Sequence, residues 1–231
     1  MNRDTFVRPL AGAAALVAVV LAGAPAPAAA GVIRGVVELV APRTTHAPRA
    51  NAYPGHANSL PPSAAAEPVG GVDETVVWLD RLPAGMAAPA PAGPHPTLEQ
   101  KRQRFVPRVV ALQSGATVDF PNRDPVYHNV FSVSPARRFD LGKYREGQSR
   151  SVRFEKTGVV RVFCDIHSDM AAFIVVIGHH VFARADAEGR FTLPALPGGS
   201  YTLRVWHPER GESTLNVRVP DDGDVVVPVK V

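Results

Sequence analysis

The chain has 231 residues with 25 Lys and Arg against 21 Asp and Glu, and a formal charge of +4 with no aromatic-and-basic platform beside it sets nucleic-acid binding aside. A single cysteine, Cys164, excludes an internal disulfide. The long amphipathic helical patterns of an α/β enzyme are absent throughout, which leaves a β protein.

In chain order, Arg3 and Arg8 precede an apolar run from Leu10 to Leu21, and Ala28-Ala29-Ala30 stands before Gly31. This is the layout of a secretory signal over 1–30, cleaved at the Ala-x-Ala pattern. An uncleaved anchor is the alternative, because the Ala-rich stretch is nearly long enough to span. No later segment is a transmembrane candidate, so the cleaved chain is expected in the periplasm or otherwise exported, without stable membrane insertion.

Over 31–80 two β-branched runs, Val32 to Val40 and Thr75 to Leu79, read as strands around a Pro/Ala-rich loop at 41–71 that has no apolar periodicity. His46 and His56 lie in that loop without partners at ligand spacing and read as solvated. A second Ala/Pro stretch makes 81–96 a linker. From 97 to 178 short strands with turn punctuation follow: 108–112, 117–120, 128–133, 150–154, 159–163 and 172–176, the last also compatible with a short buried helix. From 179 to 231 come two or three hairpins, with half-buried strands where Leu215, Val217 and Val219, and Val225, Val227 and Val229, alternate with polar residues. Strands at this spacing argue for β-sandwiches.

The stretch from Arg161 to Met170 carries the lone cysteine and three soft or borderline ligands, Cys164, His167 and Met170. An exposed thiol in an oxidising compartment invites oxidation, so a metal-bound or buried Cys164 is the economical state. Thiolate, imidazole and thioether together suit copper better than zinc, whose structural sites rarely recruit a thioether. A second imidazole is required. His128 supplies it, at the end of a turn-rich segment and just ahead of a strand-like run.

These residues resemble the cupredoxins, the small blue copper proteins such as plastocyanin, pseudoazurin and amicyanin. The resemblance is carried by Phe105, Pro107, Gly115, Val118, Phe120, Asn122, His128, Asn129, Cys164, His167 and Met170. The spacing from His167 to Met170 is similar to amicyanin's short ligand loop. Gln103 to Pro107 and Ser134 to Leu141 look like a plastocyanin-like group often labelled methylamine utilization proteins. Asp186 to Leu203 resembles the carboxypeptidase regulatory-like or transthyretin-like β-sandwich, whose opening strands would stand at Val32–Val40 and Thr75–Leu79.

The two resemblances imply an all-β chain: a cupredoxin Greek-key β-sandwich over 97–178, inserted into a second small β-sandwich made from the front strands and 179–231. The first implies one type 1 copper held by His128, Cys164, His167 and Met170, with the Asn129 N–H donating to the Cys164 sulfur and the Asn129 side chain bracing the ligand loop. Relatives carry Ser or Thr after the cysteine where Asp165 stands here, so that brace is the expected point of departure. The implied function is not enzymatic: a one-electron carrier between periplasmic redox partners. The alternative is a copper carrier or delivery protein without an electron-transfer role. A cysteine hydrolase built on Cys164 and His167 is disfavoured, because two such residues so close on one β-loop suit ligation. Lys101, Arg102, Arg104, Arg108, Arg137, Arg138, Lys143, Arg145, Arg150 and Arg153 read either as a docking face for an acidic cytochrome or oxidoreductase or as an ordinary solvated surface. His179-His180 reads as a hinge or surface pair, with an auxiliary metal site as the alternative. Asp221, Asp222 and Asp224 read as a solvated turn rather than a calcium loop.

Overall fold

A computed structural model describes residues 30–40 and 70–231; most of the expected signal, at 1–29, most of the 41–71 loop, His46 and His56 lie outside the described residues. The described chain enters with β1 (Ala30–Gly31) and β2 (Ile33–Glu38) and resumes with β3 (Val76–Leu79). Its middle supplies β4 (Glu99–Gln100), β5 (Phe105–Val106), β6 (Val109–Gln113), β7 (Thr117–Pro121), β8 (His128–Ser134), β9 (Arg137–Tyr144), β10 (Ser149–Arg153), β11 (Gly158–Phe163) and β12 (Ala171–Ile177). The last part adds β13 (Phe182–Arg184), β14 (Arg190–Thr192), β15 (Leu196–Pro197), β16 (Gly199–His207), β17 (Gly211–Val219) and β18 (Val225–Lys230).

The chain is all-β and forms two sandwiches. In the middle one, the five-stranded sheet β6-β12-β11-β8-β9 faces the pair β10-β7, and the β4–β5 hairpin closes one end. Alternation does the sorting: Val160, Val162 and Cys164 from β11 and its end, and Ala172, Ile174 and Val176 from β12, enter a core with Phe120 and Phe154. The other sandwich stacks β13-β3-β16-β17 on β14-β2-β18. Here β2 and β3, from the front of the chain, pair among the described residues only with strands beyond His179: β2 with β14 and β18, β3 with β13 and β16. Ile33, Val77, Leu79, Leu203 and Val205 are wholly or almost wholly buried in its core.

A strand that alternates normally leaves one face wet, but β12 is buried at all seven positions. The reason is a third core. Val109 and Phe173, Val175 and Ile177 point out of the middle sandwich and meet Val76 and Trp206 of the other, so the β6–β12 side of the five-stranded sheet is covered on both faces. Phe173 and Trp206 meet edge to face at 5.4 Å between centroids. Arg108 stacks over Phe173 at 5.3 Å, and it pairs with Glu74 and, at 3.7 Å, with Glu209. With its side chain 16% exposed, Arg108 belongs to this seam and not to the basic surface expected of it.

Two stretches of the middle sandwich were not legible. β9, rich in Arg, Lys and Asp, is the edge of its sheet, where charge replaces apolar alternation. The β4–β5 hairpin closes through a two-residue turn, with Lys101 N–H on the Arg104 carbonyl and the reverse bond at 2.9 and 3.2 Å. Arg102 and Gln103 both sit at positive φ, 55° and 54°. Such turns favour Asn-Gly, and the left-handed region costs an L-residue roughly 1–2 kcal/mol.

Candidate metal centre

Each side chain of the centre is placed by sheet geometry. Cys164 follows β11, a central strand, on its core side and is 1% exposed. His128 opens β8, whose partner β9 carries a bulge: Leu141 and Gly142 together oppose Val130, with Gly142 in the left-handed region at φ 64°. His128, Asn129 and Val130 are buried in succession, and the inward positions Ser132 and Ser134 continue the alternation. His167 sits in the loop between β11 and β12, which the bonds Met170 N–H to the His167 carbonyl (3.0 Å) and Cys164 N–H to the Met170 carbonyl (3.3 Å) fold back on itself. Met170 is buried beneath that loop.

His128 Nδ1 and His167 Nδ1 stand 3.1 Å apart, and the Cys164 Sγ lies 4.0 and 3.9 Å from them. The fit to a metal follows from these three lengths. With bond lengths of about 2.0–2.1 Å to nitrogen and about 2.3 Å to sulfur, these separations let His128, Cys164 and His167 together hold one ion. Two imidazole nitrogens facing each other at 3.1 Å also need a proton or a cation between them. Burial, and then the neighbouring His128 ring, hold His167 below the usual imidazole pKa, so it stands as a neutral donor at pH 7.

The orientation of His128 is set from behind. Its Nε2 faces the Asp124 carboxylate at 2.8 Å, and the ring is completely buried. Burial pushes the Asp124 pKa up, but the donors on its carboxylate, the Gln103 amide, the His128 ring and the Arg102 amide, outweigh it and hold the group ionised.

No family model matches this sequence, and no curated protein matches it. Solved structures do align with parts of it. The oxidised P94A mutant of amicyanin is 21% identical over 36% of this chain and 82% of its own, with a TM-score of 0.34. The purple cupredoxin of Nitrosopumilus maritimus is 24% identical over 33% of this chain and 84% of its own, with a TM-score of 0.30. The copper-containing nitrite reductase of Thermus scotoductus SA-01 is 25% identical over 41% of this chain, TM-score 0.36, and only 25% of that longer protein is covered.

Of the residues singled out from the sequence, the structure brings His128, Cys164 and His167 within 4.8 Å of one another. Asn129 is buried beside them, and its side-chain oxygen has no hydrogen-bond partner among the described residues. Asp165 faces Lys143 across 4.0 Å on the surface. Asp169 and Ser168 are exposed as the polar loop implied, yet Val126, Tyr127 and Ile166, next to the histidines in sequence, are exposed too, and this end of the molecule is mixed in character. His179 lies buried in the other sandwich, far from this centre in the fold, and Asp224 caps the Val32 amide and pairs with Arg34. Asp124 was missed. Its only sequence signal is a carboxylate four residues before a candidate ligand, inside the turn Asn122-Arg123-Asp124-Pro125.

Proposed function

We propose that this chain is an exported cupredoxin-like protein that binds one type 1 copper through His128, Cys164, His167 and Met170 and carries single electrons between periplasmic redox partners. The observation that carries this is the triangle of two imidazole nitrogens and one thiol sulfur at 3.1, 3.9 and 4.0 Å, closed in a sandwich core. When bound, copper supplies a one-electron couple that a trigonal thiolate–imidazole set with a weak thioether serves in both oxidation states. The chain does the rest. Cys164 and His128 are sealed from water, and His167, half-buried, is the donor that reaches toward the surface for electron exchange. With Met170 as the fourth donor, the bound metal would keep no position for a substrate, which favours transfer over chemistry at the metal.

Arg137, Arg138, Lys143, Arg145 and Arg150 are all exposed on β9, β10 and the turn between them, in keeping with an acidic cytochrome or oxidoreductase as partner. Loading the protein from residue 31 with Cu(II) tests the reading. Intense visible thiolate-to-copper absorption at one copper per chain and a reversible one-electron wave are expected; a colourless complex overturns it.

One observation favours a second reading, copper delivery. The buried Asn129 side-chain oxygen has no hydrogen-bond partner among the described residues, and the exposed Lys143–Asp165 pair adds little hold to the ligand loop. Release of copper to a chelator within seconds, alongside an irreversible wave, would select delivery over conduction.

A further inference from the structure

Asp124 gathers three donors on one buried carboxylate. Oδ1 accepts the Arg102 N–H at 2.5 Å, and Oδ2 accepts the Gln103 N–H at 2.7 Å and the His128 Nε2–H at 2.8 Å. Those two amides belong to the left-handed turn between β4 and β5, at φ 55° and 54°. Asp124 is itself held: its backbone N–H donates to Asn122 Oδ1 at 2.8 Å, while the Asn122 side-chain nitrogen donates to the Val126 and Tyr144 carbonyls at 2.9 and 3.1 Å. A ring whose Nε2 carries the proton presents a bare lone pair at Nδ1, the atom facing Cys164 and His167.

We propose that Asp124 is the positioning residue of the copper centre: it fixes the His128 tautomer, makes that imidazole a stronger donor, and biases the site toward the oxidised metal, while the same carboxylate secures the unfavourable Arg102-Gln103 turn. This rests on the copper reading above. A carboxylate behind a ligating imidazole raises its basicity, and losing such a partner typically costs about 10–100-fold in metal affinity. A negative charge at this distance stabilises Cu(II) more than Cu(I), so it lowers the potential.

The test separates the two duties. Asp124→Asn keeps an acceptor oxygen and removes the charge; Arg102→Asn with Gln103→Gly makes the turn easy without touching the ring. Asp124→Asn is expected to weaken Cu(II) binding about 10–100-fold and Cu(I) binding less, to raise the reduction potential, and in the metal-free protein to speed exchange of the His128 ring proton seen by NMR. The turn pair is expected to raise the melting temperature and leave affinity and potential unchanged. If Asp124→Asn does not fold, the same substitution is made in the turn-pair background, where the carboxylate is no longer needed to hold the backbone. Unchanged Cu(II) affinity and potential in a folded Asp124→Asn protein would overturn the proposal and leave Asp124 a turn cap alone. A wild-type chain that binds no copper would overturn the copper reading first and this proposal with it.

Discussion

Each sandwich buries histidines, and they are used in opposite ways. In the outer sandwich His179 gives Nε2–H to the Leu79 carbonyl at 2.8 Å and takes the Val181 N–H on Nδ1 at 3.2 Å. His207 does the same with the Gly71 carbonyl at 3.3 Å and the Glu209 N–H at 3.2 Å. Both rings spend both nitrogens on the backbone. In the middle sandwich His128 spends only Nε2, on Asp124, and turns Nδ1 toward His167 and the thiol. Burial and residue type are shared; an unspent lone pair aimed at a second donor is what makes a metal centre.

The hardest blow to that contrast would come from exchanging the two sets. Cys164→Ser is expected to abolish the visible band and the bound copper, while His179→Asn keeps one copper per chain and the same spectrum; metal analysis and absorption on purified protein decide it. A Cys164→Ser variant with the same band would refute the assignment.

The seam comes next in size. Trp206 is 7% exposed against Phe173, so Trp206→Ala should cost about 3–5 kcal/mol in urea unfolding yet leave the colour of the folded fraction alone. A colour change on that substitution would mean that the outer sandwich shapes the centre.

Smaller again is a pH effect confined to the outer sandwich. Burial, with the nearby Arg210 and Arg108 charges, holds His207 below its ordinary 6.5, and a second ring proton would also expel the Glu209 N–H from Nδ1. The folded state therefore binds fewer protons than the unfolded one. The stability tied to His207 is fully present above about pH 6.5 and is lost as pH falls through its folded pKa. His207→Asn should flatten the fall in melting temperature between about pH 7 and 5 while costing about 1–3 kcal/mol at neutral pH. An unchanged slope would place the acid sensitivity elsewhere.

The smallest expected change is at the exposed Asp169 beside the ligand loop. Asp169→Asn should speed transfer to an acidic partner a few-fold at low salt and slow it to a basic one, with the difference fading as ionic strength rises. Rates indifferent to both would leave the basic strands β9 and β10 without a docking role.

How far the sequence could be read depended on whether a signal was local. Cys164, His167 and Met170 share one short loop, and His128 opens a strand with a clear apolar pattern, so their types and order were visible at once. The pairing of β2 and β3 with strands beyond His179 could be anticipated because the rear segment reads as half a sandwich. Asp124 could not be seen, since its meaning lies in two amides about twenty residues upstream. β12 looked ambiguous between strand and helix because its second face is apolar for the sake of Trp206, far along the chain. Arg108 looked like surface charge until Glu74 and Phe173 closed over it.

The parallel pairing of β2 with β18, in register from Ile33↔Val225 to Glu38↔Lys230, has a mechanical consequence. β2 lies near the front of the described chain and β18 at its end, running side by side in the same direction. A pull applied at those two points loads their ladder in shear, so that all its pairs resist together instead of unzipping singly. The strands that hold His128 and Cys164 hang as a closed loop outside this clamp and carry no tension until it breaks. In a single-molecule stretching experiment the first rupture should be the high-force yielding of the clamp, governed by its unfolding rate, and the release of the middle sandwich should follow it.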